Sequence, residues 1–425
     1  MTPSPSLTGT IHIVGAGLAG LAAAVRMAQS GRRVVLYESA GQAGGRCRSY
    51  HDTALDRRID NGNHLLFSGN HAAMGYLQAI GAADSLDGPE RAEFPFLDLA
   101  SGESWTVRLD RGRVQWGLLS AQRRIPGTTV LDYLGGIKFL LAGASKTVAE
   151  CFDTARPMYR RFWEPLAVAA LNTRGDEGAA RLLWPVLRDT FGKGEAASRP
   201  RYVRNGLSES FIDPALRLLE DQHSKVHFNS RLKSISFQGR AVSGLDFGDG
   251  VTPFAADDVA ILALPPWIVS DLMPDIKVPG ETRAIVNGHF LLPHSISDWA
   301  PMGLIGGTAQ WLFARGDVAS VTVSAADDLV NEAAETIAEK IWPEITRALN
   351  LGDTQLGRYR IVKEKRATFA QTPDQVARRP DTHTGYKNLF LAGDWTNTGL
   401  PATIEGAIRS GNSAADAARR LVPTG

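Results

Sequence analysis

The ordered pattern of the chain begins with a short apolar run, Thr10-Ile11-His12-Ile13-Val14, that ends at a glycine. A run of that length bounded by glycine predicts a buried strand. Over residues 18–30 the spacing becomes helical, with Leu21, Val25 and Ala28 on one face and Gly31 supplying the stop. Arg33-Val34-Val35-Leu36-Tyr37 is a second apolar run, closed by Glu38. Around Phe94 the character changes. Phe94-Pro95-Phe96-Leu97-Asp98-Leu99 and Trp105-Thr106-Val107-Arg108-Leu109 predict strands of an antiparallel sheet. Residues 131–150 and 159–171 predict helices with broad apolar faces, and residues 181–191 a further helix.

Helix and strand then alternate again, with a helix over residues 213–223, a strand over 225–229 and a hairpin through Gln238-Gly239. The buried strand Asp258-Val259-Ala260-Ile261-Leu262-Ala263-Leu264 stops at Pro265-Pro266. Alternating segments recur over residues 318–324 and 355–363. Lys387-Asn388-Leu389-Phe390-Leu391-Ala392 is a last buried strand. A helix follows from near Pro401, a good first-turn position, with Ile404, Ala407, Ile408, Gly411, Ala414, Ala415 and Ala418 along one stripe.

Two glycine clusters carry the chemistry. Gly15-Ala16-Gly17-Leu18-Ala19-Gly20 sits between the first strand and the first helix. Gly15 permits the tight turn, Gly17 lets backbone approach a pyrophosphate, and Gly20 lets the helix pack on the strand. The helix N-terminus presents free N–H groups and a positive dipole end to that phosphate. Glu38 stands at the second strand's end, where a carboxylate holds ribose hydroxyls. Gly44-Gly45-Arg46 adds exposed amides and a guanidinium fork suited to phosphate. Alone, that triplet would read as a surface turn. After Glu38 it favours FAD over NAD. Near the C-terminus Gly393-Asp394 closes the last strand. Asp394 suits a ribityl or phosphate-adjacent hydrogen bond, and otherwise reads as a loop or capping aspartate. The dipole of the last helix can stabilise negative charge on a reduced flavin. Leu18, Ala19, Ser39, Leu232, Thr403 and Ile404 complete the set expected against the cofactor.

The predicted class is therefore α/β. It is a Rossmann-like FAD-binding domain of the two-dinucleotide-binding-domain flavoprotein type, with an α+β substrate domain built on an antiparallel sheet. The expected boundaries are residues 1–93, 205–266 and 383–425 for the FAD-binding domain. Residues 94–204 and 267–382 form the substrate domain.

Composition narrows the field further. A chain of 425 residues suits two domains rather than one core. A net charge of +1 gives a nucleic-acid partner no electrostatic support. The two cysteines, Cys47 and Cys151, form no C-x-x-C pair, metal spacing or disulfide framework, which fits a reducing cytoplasm. His223 and His227 have the spacing of a zinc pair, but the change from helix to strand falls between them. No G-x-S-x-G elbow is present. Residues 1–9 form a polar leader without the marks of a signal peptide. No run approaches ~18 apolar residues. Residues 129–144 come nearest, interrupted by Asp132 and Lys138.

The chain from about Thr10 to Leu421 resembles the FAD-dependent amine oxidase and carotenoid desaturase superfamily. Ile59-Asp60-Asn61-Gly62-Asn63-His64-Leu65-Leu66, Glu364-Lys365-Arg366-Ala367-Thr368-Phe369, and Ala392-Gly393-Asp394-Trp395 with the Thr398–Ala407 stretch make it similar to the squalene-associated FAD-dependent desaturases of bacterial hopanoid pathways. Ala170-Leu171-Asn172-Thr173 and Asn205-Gly206-Leu207-Ser208 support the same likeness. The resemblance implies a non-covalent FAD, a long apolar tunnel ending at the flavin ring, and a hydrophobic isoprenoid substrate drawn from a membrane surface. Covalent flavin attachment in amine oxidases uses a cysteine before the last strand, and this chain has none after Cys151. The reaction implied is reductive removal of the hydroxyl of hydroxysqualene, with hydride from reduced flavin, giving squalene.

Such chemistry needs orientation, an acid for the departing oxygen and a dry cavity. The catalytic candidates are His64, Asn63, Glu364 and Lys365. His64 leads as the acid, because its unperturbed pKa of ~6.5 suits proton transfer near neutrality; a satisfied core histidine is the plainer alternative. Strand alternation exposes to the flavin either Lys365 with Ala367, or Glu364 with Arg366 and Thr368. A surface ion-pair cluster is the plainer reading there. Two other functions stay open: an oxidative desaturase or amine oxidase, and a non-enzymatic lipid-binding protein on this fold. One dinucleotide fingerprint leaves the flavin dependent on an external electron donor. The expected location is cytoplasmic, with peripheral attachment to the inner face of the cytoplasmic membrane as the alternative to a freely soluble protein. The region around residues 131–144 is the first suspect for that contact.

Overall fold

The computed structural model describes residues 9–112, 114–297 and 301–421. Apart from Gly9, the expected N-terminal leader lies outside the described residues. The apolar runs assemble into a five-stranded parallel sheet in the order Lys225–His227, Arg33–Tyr37, Thr10–Val14, Val259–Leu262, Leu389–Leu391. Its central strands are buried on both faces, which is why their sequences are continuously apolar rather than alternating. Helix Leu18–Gln29 packs closely on helix Ile404–Leu421, so the first and last helices among the described residues are neighbours. Gly411 permits that approach, since a Cβ there would stand 2.1 Å from the Ala19 carbonyl oxygen. Strands Ser234–Gln238, Ala241–Asp246 and Val251–Pro253 form a small antiparallel sheet.

A second, six-stranded sheet runs in the order Tyr359–Phe369, Thr282–Ile296, Trp311–Val323, Met302–Ile305, Glu93–Asp98, Ser104–Arg108. All its pairings are antiparallel except Met302–Ile305 with Glu93–Asp98. Helix Ala334–Ala348 covers one face, burying Ile337, Ile341 and Ile345 with Val286, Phe290 and Val321. The other face looks toward the parallel sheet across a cavity.

Local structure departs from the sequence pattern in three places. The helix expected over residues 131–150 is broken into the 3₁₀ turn Val130–Gly136, the short helix Ile137–Leu140 and the turn Ala149–Cys151. Gly135, Gly136 and Gly143 make a continuous helix there costly. Residues 159–171 begin as a π turn, Tyr159–Trp163, before the helix Glu164–Leu171. The last helix starts at Ile404, not near Pro401. Residues 401–403 form a separate turn leading into it.

Candidate active site

One continuous cavity of about 830 Å³ lies between the two sheets. Its nucleotide end is built by the turn after the first strand. Gly15 has φ +104°, and a Cβ on Gly20 would meet the Gly15 carbonyl oxygen at 1.8 Å. Gly20 thus serves packing and does not line the cavity, whereas Gly15, Gly17, Leu18 and Ala19 do. A Cβ on Gly17 would find nothing within 4 Å, and no side chain caps the helix that follows it. An open approach to an uncapped helix N-terminus is what a pyrophosphate requires. Gly44 runs beside Gly17 in a single parallel bridge.

Glu38 accepts from the Ala16 amide at 2.9 Å and the Ala40 amide at 2.8 Å, while Ser39 donates to it at 3.1 Å. The carboxylate is therefore held at the cavity wall by the loops on either side. Arg46 donates to the Ala367 carbonyl and, at 2.8 Å, to Asp394. Gly45, Leu232, Gly393, Thr403 and Ile404 also line this space. Residues from the two ends of the chain and from residue 232 thus surround one elongated site. An uncapped helix end, a positioned carboxylate and a guanidinium clamp fit FAD.

Two buried side chains that the sequence reading missed shape the C-terminal wall. Arg379 donates to the carbonyls of Leu400 at 2.8 Å, Asp394 at 3.2 Å, Trp395 at 3.3 Å and Thr396. Burial lowers its pKa to about 10, which leaves it charged at neutrality. Gln371 donates to the Leu171 carbonyl at 2.6 Å and accepts from the Ala402 amide at 2.9 Å, fixing the turn before the last helix. A polar residue in a segment without a motif carries no local sign of such a role.

The same cavity holds most of the catalytic candidates. Asn63, His64 and Glu364 line it, together with Arg366, Ala367 and Thr368. Lys365 does not: it is exposed and outside the cavity wall. Of the two faces that alternation offered, the one carrying Glu364, Arg366 and Thr368 meets the cavity, although the register slips there: the five residues Glu364 to Thr368 lie against the three residues Ile285 to Arg283. Arg366 sits over the Trp267 ring at 5.0 Å.

His64 also departs from expectation. Burial in the wall pushes its pKa down to about 4, with Asp60 opposing and Arg46 reinforcing the shift. It is neutral near pH 7, so it can hold a hydrogen bond but does not supply the charged acid that its ordinary pKa suggested. Asn287 and Thr322, on the neighbouring strands, were also missed; the sign of the first was a polar residue inside the apolar run Ile285-Val286-Asn287.

The sequence model of the flavin containing amine oxidoreductases matches residues 18–419. The chain belongs to that family. FAD is its cofactor. Among curated proteins the chain is 45% identical to hydroxysqualene dehydroxylase of Rhodopseudomonas palustris, covering 96% of this chain and 98% of that one. It is 44% identical to the protein of the same name from Zymomonas mobilis over the same shares. Among solved structures, cyclohexylamine oxidase from Brevibacterium oxydans shares the flavoprotein fold with a TM-score of 0.71 at 13% identity, over 97% of this chain and 99% of that one. The protein is an FAD-dependent oxidoreductase. Among the described residues no cluster suits a metal ion, and no helix is long and apolar enough to cross a membrane.

Proposed function

We propose that the protein converts hydroxysqualene to squalene. The observation that carries this reading is the continuity of the cavity. One space joins the nucleotide cradle at Glu38 to an apolar chamber walled by Phe94, Phe96, Phe162, Leu166 and Trp311. Full-length similarity to proteins named for this reaction supports it. The C–O bond of the alcohol breaks, a C–H bond forms and water leaves. Reduced FAD supplies the two electrons and the hydrogen that this replacement consumes.

The chain's own residues bind, orient and exclude water. The aromatic wall takes up the isoprenoid chain and keeps the reacting centre dry. The last proton needed by the departing hydroxyl must come from a group at the Asn63 end. Glu364 is the carboxyl side chain that lines this part of the cavity, and it is the candidate for passing that proton on. Incubation of the FAD-loaded, chemically reduced protein with hydroxysqualene under anaerobic conditions tests the reading. Squalene and oxidised flavin should appear together. Squalene formation that needs oxidised flavin, or a desaturated product, would overturn it.

So insoluble a substrate calls for delivery from a bilayer, and a surface supports that route. Trp116, Leu131 and Leu141 are 70%, 75% and 77% exposed, and Leu119, Leu134, Ile137 and Leu140 are exposed beside them in sequence. Large apolar patches of this kind mark interaction sites. The segment packs on helix Leu183–Asp189, whose Pro185 and Val186 line the cavity. Lys138 and Lys146 are exposed in it and suit anionic headgroups. Flotation with phosphatidylcholine vesicles containing phosphatidylglycerol should carry the protein upward, and Leu131→Glu with Leu141→Glu should abolish this. A protein that stays wholly in the soluble fraction would reject the membrane route.

A further inference from the structure

The polar groups at the substrate end of the cavity form a chain whose direction is fixed by its last member. Asn61 offers a backbone carbonyl, which can only accept. Asn287 Nδ2 lies 3.3 Å from it and therefore donates. That places Asn287 Oδ1 toward Thr322, whose hydroxyl oxygen lies 2.8 Å away. An amide oxygen can only accept, so the Thr322 hydroxyl spends its single proton on it. Thr322 can then only accept from its other neighbour, Asn63, 3.1 Å away. Asn63 must turn its Nδ2 to Thr322. Its Oδ1 is left free of this chain of bonds, which engages only the Nδ2 of that side chain. Asn63, Asn287 and Thr322 all line the cavity, and the latter two are 3% and 9% exposed.

We propose that Asn63 is the acceptor that selects an alcohol over the corresponding hydrocarbon, and that Thr322 and Asn287 are positioning residues that hold its amide in that sense. The inference rests on the hydroxysqualene reading and adds to it the group that recognises the hydroxyl. An amide oxygen accepting the substrate O–H leaves the lone pairs of the substrate oxygen open to a proton donor. It also disfavours the product, which has no donor to offer and leaves the acceptor dry and unpaired. Selection of substrate against product thus follows from an amide orientation alone. Loss of the Thr322 hydroxyl removes the only reason for Asn63 to face one way. The amide can then present either N–H or oxygen.

The test measures binding rather than turnover. Dissociation constants for hydroxysqualene and for squalene are determined on the FAD-loaded oxidised protein, in detergent, by quenching of tryptophan fluorescence. The wild type should bind the alcohol roughly tenfold tighter than the hydrocarbon. Asn63→Leu should bring that ratio close to one by weakening alcohol binding while hydrocarbon binding holds or improves. Thr322→Val should reduce the ratio, and Thr322→Ser, which keeps the hydroxyl, should restore it. A general packing defect would weaken both ligands alike and would not separate valine from serine. An Asn63→Leu protein that keeps the wild-type ratio overturns the acceptor role. Equal ratios in Thr322→Val and wild type overturn the positioning role. Failure of the reduced wild type to form squalene overturns the proposed function instead, whatever the binding ratios.

Discussion

Arg46 donates to the Asp394 carboxylate at 2.8 Å, a contact that joins segments 348 positions apart. The same guanidinium donates to the Ala367 carbonyl, so one side chain ties the nucleotide cradle, the last strand of the parallel sheet and the wall that carries Glu364. The Arg46 side chain is 45% exposed, and solvent screening tempers the pair's worth. Arg46→Ala and Asp394→Asn should each weaken FAD binding about tenfold, or about 1.4 kcal/mol. The double variant should be little worse than either, because the two residues act as one unit. Titration of apoprotein with FAD checks this, and additive losses would refute the coupling.

Glu38 is the companion case in the wall of the same cavity. Its two oxygens already accept from Ala16 and Ala40, so the carboxylate is oriented before any ligand arrives. Glu38→Ala should cost on the order of 1.5–3 kcal/mol of FAD affinity. Glu38→Gln should fall between, since its amide keeps one acceptor. Equal affinity in all three proteins would remove the residue from the cofactor site.

FAD should leave the protein completely on acid precipitation. Cys47 lines the cavity and is the cysteine placed to be tested for a flavin bond. Burial pushes its thiol pKa well up, so the nucleophilic thiolate is scarce. Flavin colour retained in the pellet would contradict this.

Two histidines should make the fold sensitive to acid. Burial lowers the pKa of both His64 and His289 to about 4, against ~6.5 in the unfolded chain. Between those values the unfolded state binds more protons than the native one. Stability is therefore complete above about pH 6.5 and falls progressively toward pH 4. Urea midpoints at pH 7.5 and pH 5 should show the loss, and His289→Gln should lessen it. If His64 carried the catalytic proton, activity would climb as pH fell toward 4; no such climb traceable to His64 is expected, and His64→Gln should keep the wild-type profile between pH 6 and 8.

Arg379→Met should destabilise the protein by about 3 kcal/mol or more, because it strips donors from several buried carbonyls at once. Flavin content should fall with it, since those carbonyls belong to the Asp394–Leu400 loop. Chemical denaturation and the absorbance of purified holoprotein read the two effects. A variant with normal stability and full flavin would show that the loop holds its shape without this residue.

The strands, the glycine turn and the acidic residue at position 38 were legible in the sequence because their causes are local. A continuous apolar run marks a strand buried on both faces, and Gly15 at φ +104° is a conformation that a side chain would strain. The resemblance carried by Gly44-Gly45-Arg46 and Gly393-Asp394 extended the same reading to the cofactor. What the tertiary structure alone decided was relational. Alternation left two faces of one strand open, and only the folded cavity decided that Glu364, Arg366 and Thr368 line it while Lys365 does not. His64 lost its ordinary pKa because desolvation depends on what surrounds a ring and not on the ring's neighbours in sequence. The orientation of Asn63 depends on a carbonyl at position 61 reached through Thr322 and Asn287, more than 220 positions away, and only the folded sheets bring those donors and acceptors into line.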